Sequence, residues 1–145
     1  MKTLYCQFLK SGTSGEYEGL ALLREHIHVV KAPPFKGFLS ELSPEEKAKA
    51  TEEQRQLFAE VVTLTQSGEY DLVIMDEAVV AYNFGILAIA EVQEFIKGRP
   101  EKVELVFTGR DAPQELIDLA DYVSEIVKIK HPYDRGVKIR KGIEY

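Results

Sequence analysis

The chain has 145 residues, of which 45% are hydrophobic, and its 24 acidic and 18 basic side chains give a formal charge of −6 at pH 7. This length predicts a single domain over residues 1–145 with a continuous core. The negative charge gives no electrostatic reason to expect a nucleic acid or an anionic membrane as partner. No apolar run reaches the length of a signal-peptide core or a membrane span, so we expect a cytoplasmic protein.

The sequence contains one cysteine, Cys6, which cannot form an internal disulfide. Its neighbours are typical of a strand, and no basic residue adjoins it to lower the pKa of the thiol. We therefore expect Cys6 to be a small core residue.

The first third of the chain predicts two strands, Thr3–Leu9 and His26–Val30. Between them the stretch "KSGTSGEYEG" is typical of a loop, and a short helical pattern follows through Leu20, Leu22 and Leu23. The stretch "KAPPFKGF" then predicts a surface loop, because adjacent prolines remove backbone donors and disfavour helix before them.

A long helix with clear ends follows this loop. Ser43 is the predicted N-cap, Pro44 occupies the first helical position, Glu46 completes a capping box and Gly68 lies just past the last turn. The apolar face of the predicted helix is formed by Leu57, Val61, Val62 and Leu64.

The rest of the chain alternates strands and helices. "DLVIMDE" predicts a strand that is apolar on both faces, and the later elements are a helix over Ile89–Lys97, a strand over Val103–Thr108, a helix over Pro113–Leu119 and a last strand over Val123–Ile129. This alternation predicts a three-layer α/β fold with a mostly parallel sheet. Residues 131–145 are basic and contain two glycines, which predicts a tail that becomes ordered on binding.

Polar residues follow two of these strands where each strand ends. Asp76 and Glu77 close one strand, and "TGRDAP", which begins at Thr108, closes the next. Ligands bind at the carboxyl ends of parallel strands, Mg²⁺ prefers oxygen ligands, and an arginine such as Arg110 suits phosphate oxygens. The alternatives are solvated strand-end acids and a surface salt bridge for Arg110.

Other polar and aromatic residues have simpler expected roles. His26 and His28 lie two residues apart on one strand face, but no third ligand near them suggests a metal site. His131 lies in the basic tail and is expected to be exposed. Core packing is the simplest expectation for three aromatic residues, Phe38, Tyr82 and Phe84.

The 145 residues contain no G-x-x-x-x-G-K-[S/T] phosphate loop. The loop after the first strand, "KSGTSGEYEG", offers backbone donors for an anion but lacks the lysine and hydroxyl at the required spacing. It is the nearest candidate for an anion-binding loop.

Four stretches resemble the ATP:corrinoid adenosyltransferases of cobalamin biosynthesis, the type built on a P-loop nucleotide fold. They are "QFLKSG", "YDLVIMDEAVVAYNFGIL", "EVQEFIKGRPEKVELVFTGRDAPQELIDLADYVSEI" and "KHPYDRGVKIRKGIEY", and together they extend over nearly the whole chain. The resemblance implies a P-loop-NTPase-like, Rossmann-like domain without the Walker A element. It also implies transfer of the 5′-deoxyadenosyl group of ATP to a cobalt(I) corrinoid, with Mg²⁺ on the phosphates.

By the same resemblance, Asp76 and Glu77 would serve magnesium. Thr108, Gly109 and Arg110 would serve the nucleotide, chiefly its triphosphate. The family's loop aromatics that face the corrin ring would fall near Phe38, although "GFLS" here lacks the tryptophan that follows the loop phenylalanine in the family.

Family members place a strand, a P-loop and a helix ahead of the "QFLKSG" strand. A different strand order, a second copy of the chain or a separate polypeptide could supply the corresponding part of the sheet, and self-association is the hypothesis we favour. Two roles are therefore open: an adenosyltransferase, or a non-catalytic accessory protein that binds a corrinoid or a nucleotide. A flavodoxin-like or receiver-like module would require acids at the end of the first strand, where "LYCQFLK" ends in a lysine.

Overall fold

The computed structural model describes residues 1–10, 15–31, 33–34, 39–138 and 140. Short 3₁₀ helices cover Leu39–Glu41 and Pro132–Arg135. The strands are β1 (Thr3–Gln7), β2 (Ile27–Lys31), β3 (Leu72–Asp76) and β4 (Glu104–Phe107). The α-helices are α1 (Gly15–Ala21), α2 (Pro44–Gln66), α3 (Ala78–Asn83), α4 (Ile89–Gly98) and α5 (Gln114–Ile117).

The four strands form one all-parallel sheet in the order β2-β1-β3-β4. The register pairs Gln7 with Lys31 on one side and with Asp76 on the other, and it pairs Met75 with Phe107. The carboxyl ends of all four strands therefore meet at one edge of the sheet. The predicted α/β fold with a parallel sheet is confirmed, and it is consistent with a P-loop-NTPase-like fold.

One face of the sheet carries the hydrophobic core. Its fully buried side chains share the core cluster with the apolar sides of α2 and α4, and Phe58 and Phe95 of these two helices meet edge to face with their centroids 5.7 Å apart. The sheet residues on this face are Leu4, Cys6, Phe8, Val73 and Met75.

The opposite face of the sheet is less covered than the sequence predicts. Tyr5 pairs with Ile74 and Ile74 with Val106, so the three side chains lie in a row on this face. Tyr5 and Ile74 are half-buried, and Val106 is 41% exposed. Strand β3 is therefore less covered on this second face than on the first, although parallel strands are usually covered on both sides.

Helix α2 begins and ends where its local signals predict. The backbone N–H of Glu46 donates to Ser43 Oγ at 3.3 Å, and the backbone N–H of Ser43 donates to the Glu46 carboxylate at 3.0 Å. Gly68 follows the helix in the left-handed region with a φ of +70°. Of the predicted apolar face, Leu57 and Val61 are buried, while Val62 and Leu64 pack against the core and are half-buried.

The predicted strand over Val123–Ile129 is wrong, because these residues form no helix or strand. Their apolar side chains face solvent, with Ile126 98% exposed. A strand exists only when its backbone pairs with a neighbour, so β propensity alone does not form one. Within the described residues, β4 pairs only with β3 and is an edge of the sheet.

Local structure also differs from expectation around α1 and in the tail. Helix α1 begins at Gly15, inside the stretch predicted as a loop, and ends at Ala21, so Leu22 lies beyond it and is 87% exposed. The described part of the tail contains the short helix Pro132–Arg135, which is stabilised by a 2.9 Å ion pair between Lys128 and Asp134. None of the helices in the described ranges is long and apolar enough to cross a membrane.

Candidate nucleotide and metal site

The carboxylate of Asp76 lies at the centre of a hydrogen-bonded cluster at the carboxyl edge of the sheet. Its Oδ1 accepts a bond from Thr108 Oγ1 at 2.5 Å. Its Oδ2 accepts bonds from Gln7 Nε2 at 2.5 Å and from Tyr5 Oη at 3.3 Å. The donors come from β1 and from the residue after β4, so three strand ends converge on one acid.

The strand register explains why these side chains meet. Side chains alternate between the two faces of a strand, so Tyr5 and Gln7 of β1 share a face. Gln7 pairs with Asp76, and paired residues of parallel strands point to the same side. Thr108 follows β4 by one residue, and its backbone N–H donates to Met75 O at 3.2 Å. Sequence reasoning missed Tyr5 and Gln7, although the alternation in "TLYCQ" could have placed them together.

Glu77 lies at a tight turn between β3 and α3. It is a non-glycine residue in the left-handed region, with φ 59° and ψ 17°. Its backbone N–H donates to Thr108 Oγ1 at 3.1 Å, and the N–H of Val79 donates to Thr108 O at 3.1 Å. Such backbone strain is typical of functional sites, where surrounding contacts hold it in place. The Glu77 carboxylate itself bonds to no other residue in the described part of the chain.

The loop after β4 packs closely on α3. Gly109 has a φ of +151°, and a Cβ built on it would lie 2.6 Å from Val79 Cβ. Asn83 Nδ2 donates to the backbone oxygens of Arg110 and Asp111, each at 3.1 Å. The Arg110 side chain is exposed and forms no ion pair with an acid among the described residues, which leaves its guanidinium available for an external anion.

The structure thus joins three predicted site residues through Thr108, whose hydroxyl bonds to the Asp76 carboxylate and to the backbone N–H of Glu77. Gly109 and Arg110 continue from Thr108 along the same loop, although Arg110 makes no bond to the two acids. Phe38, the predicted corrinoid contact, lies outside the described residues. The assignment of these residues to magnesium, nucleotide and corrinoid stays a prediction.

Tyrosines from two elements lie near the Asp76 cluster. Burial and the adjacent Asp76 carboxylate raise the pKa of Tyr5, so its phenol stays protonated and continues to donate. Burial also raises the pKa of Tyr17 on α1, with smaller contributions from the charges of Cys6, Glu16 and Asp76. The Tyr17 ring lies 3.9 Å from Lys31 Nζ, at the carboxyl end of β2.

The oxygen atoms at this edge suit a hydrated magnesium ion. Each carboxylate oxygen has two lone pairs, so Asp76 Oδ1 retains one after bonding Thr108. Glu77 contributes a carboxylate without a partner in the described chain, and Gln7 Oε1 is a buried oxygen without a hydrogen-bond partner. Mg²⁺ binds through one or two carboxylates and keeps several waters. The described residues contain no group of three or more His, Cys, Asp or Glu placed to hold a metal.

The other residues singled out from the sequence lie outside the Asp76 cluster. His26 precedes β2, and His28 Nδ1 lies 2.5 Å from Tyr70 Oη. Burial raises the pKa of the Cys6 thiol to about 12, and Cys6 is a core residue as predicted. Tyr82 is half-buried, and its hydroxyl donates to Glu115. Core packing is wrong for Phe84, which is 52% exposed at the end of α3.

His131 is exposed, as predicted. Its Nδ1 accepts a hydrogen bond from the backbone N–H of Tyr133 at 3.1 Å. This bond caps the short 3₁₀ helix over Pro132–Arg135.

Several known proteins resemble part of this chain. The corrinoid adenosyltransferase of a Sinorhizobium species is 39% identical over 75 residues, which are 51% of this chain and 35% of the relative. The corrinoid adenosyltransferase of Escherichia coli K12 is 31% identical over 91 residues, or 63% of this chain and 46% of the relative. The corrinoid adenosyltransferase CobA of Salmonella typhimurium is 37% identical over 75 residues, which are 52% of this chain and 38% of the relative.

These alignments cover less than half of the length of each relative. A family model described as ATP:corrinoid adenosyltransferase BtuR/CobO/CobP matches the whole of residues 1–145. The chain belongs to this family of corrinoid adenosyltransferases.

Proposed function

We propose that this chain takes part in transferring the 5′-deoxyadenosyl group of ATP to a cobalt(I) corrinoid. Its membership of the family over residues 1–145 supports the reaction type. The observation that carries the proposal is the Asp76 carboxylate, which is held by three donors at the carboxyl edge of the sheet. Glu77 follows it directly in the chain, and its carboxylate has no partner among the described residues. A cytoplasmic location belongs to the same proposal, because ATP is the adenosyl donor.

In this reaction the cobalt(I) centre of the substrate attacks C5′ of the ribose. A cobalt–carbon bond forms with the electron pair of the metal, which becomes formally cobalt(III), while the C5′–O bond breaks and triphosphate leaves with its bonding pair. A bound Mg²⁺ would neutralise charge on the triphosphate. Asp76 and Glu77 would hold this ion, and the loop formed by Thr108, Gly109 and Arg110 would face the phosphates.

A second role, a non-catalytic accessory protein that binds a nucleotide or corrinoid, is favoured by one observation. The 145 residues contain no G-x-x-x-x-G-K-[S/T] phosphate loop. Each charge-assisted bond from such a loop is worth about 1.5–3 kcal/mol. Three missing bonds would weaken ATP binding by about 5 kcal/mol, roughly a thousandfold or more.

Two measurements on the purified chain separate these roles. Calorimetry with MgATP reports nucleotide binding, and an absorbance assay with chemically reduced cobalamin reports formation of the cobalt–carbon bond. An enzyme binds MgATP with micromolar affinity and turns over the corrinoid. Absence of turnover together with absence of heat on MgATP addition would contradict the enzymatic proposal and support the accessory role.

Arg110→Ala tests the predicted triphosphate contact in the same calorimetric experiment. We expect it to remove most of the MgATP affinity, because Arg110 is the exposed arginine on the loop beside Asp76. Arg55→Ala is the matched control, since Arg55 is an exposed arginine on α2 whose partner is Glu91 at 3.2 Å. An Arg110→Ala affinity equal to that of the unmodified chain would refute the assignment.

We also propose that two copies of the chain associate through the open edge of β4 and the exposed segment 122–129. Within the described ranges, each copy has an unpaired edge at β4 and an exposed apolar segment over 122–129. A symmetric dimer could cover both surfaces. Sedimentation should show a dimer that Ile126→Lys weakens. Leu22→Lys, at another exposed aliphatic residue, which follows α1, is the control. A well-folded monomer at all concentrations would contradict this proposal.

A further inference from the structure

Gln7, the last residue of β1, has a buried side-chain amide of which only the nitrogen forms a hydrogen bond to a described residue. It is 3% exposed, and its amide nitrogen donates to Asp76 Oδ2 at 2.5 Å. Its carbonyl oxygen, Oε1, is buried and has no hydrogen-bond partner among the residues that the structure describes. Buried side-chain oxygens in folded proteins are almost always paired, so this one requires an explanation.

The chemistry of the pair determines which end of the amide is satisfied. An ionised carboxylate only accepts hydrogen bonds, so the nitrogen of Gln7 must face Asp76 and the oxygen must point elsewhere. The oxygen is therefore an acceptor close to the acid, in a place where water from bulk solvent has little access. Leaving such an acceptor unpaired costs free energy.

The position of Gln7 in the sheet sets its side chain beside Asp76, one of the two predicted metal ligands. The register sets Gln7 beside Asp76, on the same face as Tyr5. Gln7 and Tyr5 both donate to Oδ2 and use its two lone pairs, whereas Oδ1 keeps one lone pair beyond the bond from Thr108. Gln7 thus fixes which oxygen of Asp76 can meet a cation.

We propose that Gln7 is a positioning residue for a hydrated divalent cation at Asp76 and Glu77. Its nitrogen orients the Asp76 carboxylate, and its oxygen accepts a hydrogen bond from a water molecule of the hydrated ion. Mg²⁺ and Mn²⁺ retain several waters when few protein ligands are present, so an acceptor for such a water lowers the cost of holding the ion. This inference rests on the metal site of the proposed function.

The test measures cation binding without nucleotide or corrinoid. The probe is Mn²⁺, whose free hydrated ion gives an electron paramagnetic resonance signal that is lost on binding, and Mg²⁺ competition shows that both ions share the site. We expect Gln7→Met, which has similar length but neither donor nor acceptor, to weaken Mn²⁺ binding about tenfold or more. A folded Gln7→Met variant that binds Mn²⁺ as tightly as the unmodified chain would overturn the inference.

Two controls separate this role from a structural one. Asp76→Asn tests the metal site itself. If Asp76→Asn weakens Mn²⁺ binding and Gln7→Met does not, the metal site is supported and the proposed role of Gln7 is refuted. Thr65→Val alters another buried polar residue, whose hydroxyl donates to Val61 O at 2.7 Å within α2. It should change the free energy of unfolding without changing Mn²⁺ affinity.

Gln7→Glu gives a second, independent readout if Gln7→Met fails to fold. It places a carboxylate beside Asp76, and a cation at this site would relieve the repulsion between the two acids. We expect Mn²⁺ to raise the melting temperature of Gln7→Glu more than that of the unmodified chain. An equal or smaller rise would overturn the inference. If the unmodified chain does not bind Mn²⁺, the inference about Gln7 is also refuted. The proposed adenosyl transfer is tested separately by the corrinoid assay.

Discussion

The hydroxyl of Thr108 joins the ends of two neighbouring strands. It donates to Asp76 Oδ1 at 2.5 Å and accepts a hydrogen bond from the backbone N–H of Glu77 at 3.1 Å. A single oxygen therefore orients the central acid and holds the strained turn that follows it. The arrangement of these two strand ends therefore depends on this contact.

Replacing Thr108 by valine should destabilise the fold. The substitution keeps the side-chain volume but leaves Asp76 and the N–H of Glu77 each short of one bond, with an expected loss of about 1–3 kcal/mol in the free energy of unfolding. Urea denaturation measures this loss. Thr108→Ser should recover most of it, and Thr63→Val, at an exposed hydroxyl on α2, should stay within about 0.5 kcal/mol of the unmodified chain. Equal stability of Thr108→Val and the unmodified chain would count against this role.

Replacing Gly109 by alanine should be costly for steric reasons. The new Cβ would lie 2.6 Å from Val79 Cβ and 3.1 Å from Val80 N, and a φ of +151° is disfavoured for any other residue. We expect a loss of about 2 kcal/mol or more, together with weaker nucleotide binding. Gly19→Ala in α1 is the control, because nothing lies within 4 Å of its Cβ and alanine favours helix there. Thermal unfolding that ranks the two variants in the opposite order would contradict the argument.

The cap of α2 should make stability depend on acid pH. The bonds that Ser43 makes to Glu46 lower the pKa of the Glu46 carboxyl, so their contribution is fully present above the ordinary glutamate pKa of about 4.3. It is lost as the pH falls from there through the lowered folded value. Ser43→Ala should cost about 1 kcal/mol at neutral pH. Urea titrations at pH 7 and pH 3 measure the difference in free energy of unfolding between Ser43→Ala and the unmodified chain. We expect this difference to be smaller at pH 3, and a larger difference at pH 3 would contradict the prediction.

The single cysteine should report unfolding. Cys6 is 0% exposed, and burial raises the pKa of its thiol to about 12, so little thiolate exists in the native state at pH 8. We expect a thiol reagent to label the native chain slowly and the urea-unfolded chain rapidly. The labelling rate should therefore follow the unfolded population across a denaturant series. Fast labelling without denaturant would show that β1 opens locally.

Local chemistry made parts of this fold predictable from the sequence. The N-cap, proline and capping box at Ser43–Glu46 define the start of α2 because these contacts span only three residues. The apolar run before Asp76 and the residues "TGRDAP" likewise mark two strand ends. Since parallel strands end at the same edge of a sheet, the meeting of Asp76 with Thr108 followed from the pattern.

Contacts between distant segments were not predictable in the same way. Tyr5 and Gln7 join the site only because the register pairs β1 with β3, about 70 residues away in sequence. The segment 123–129 has the composition of a strand but lacks a paired neighbour, and its predicted strand does not form. Residue types thus determined the ends of α2, the alternation of strands and helices, and the presence of polar residues at the sheet edge. The tertiary structure alone decided which side chains surround Asp76 and which segment stays unpaired, because hydrogen-bond partners in a sheet are set by long-range register and not by neighbouring residues.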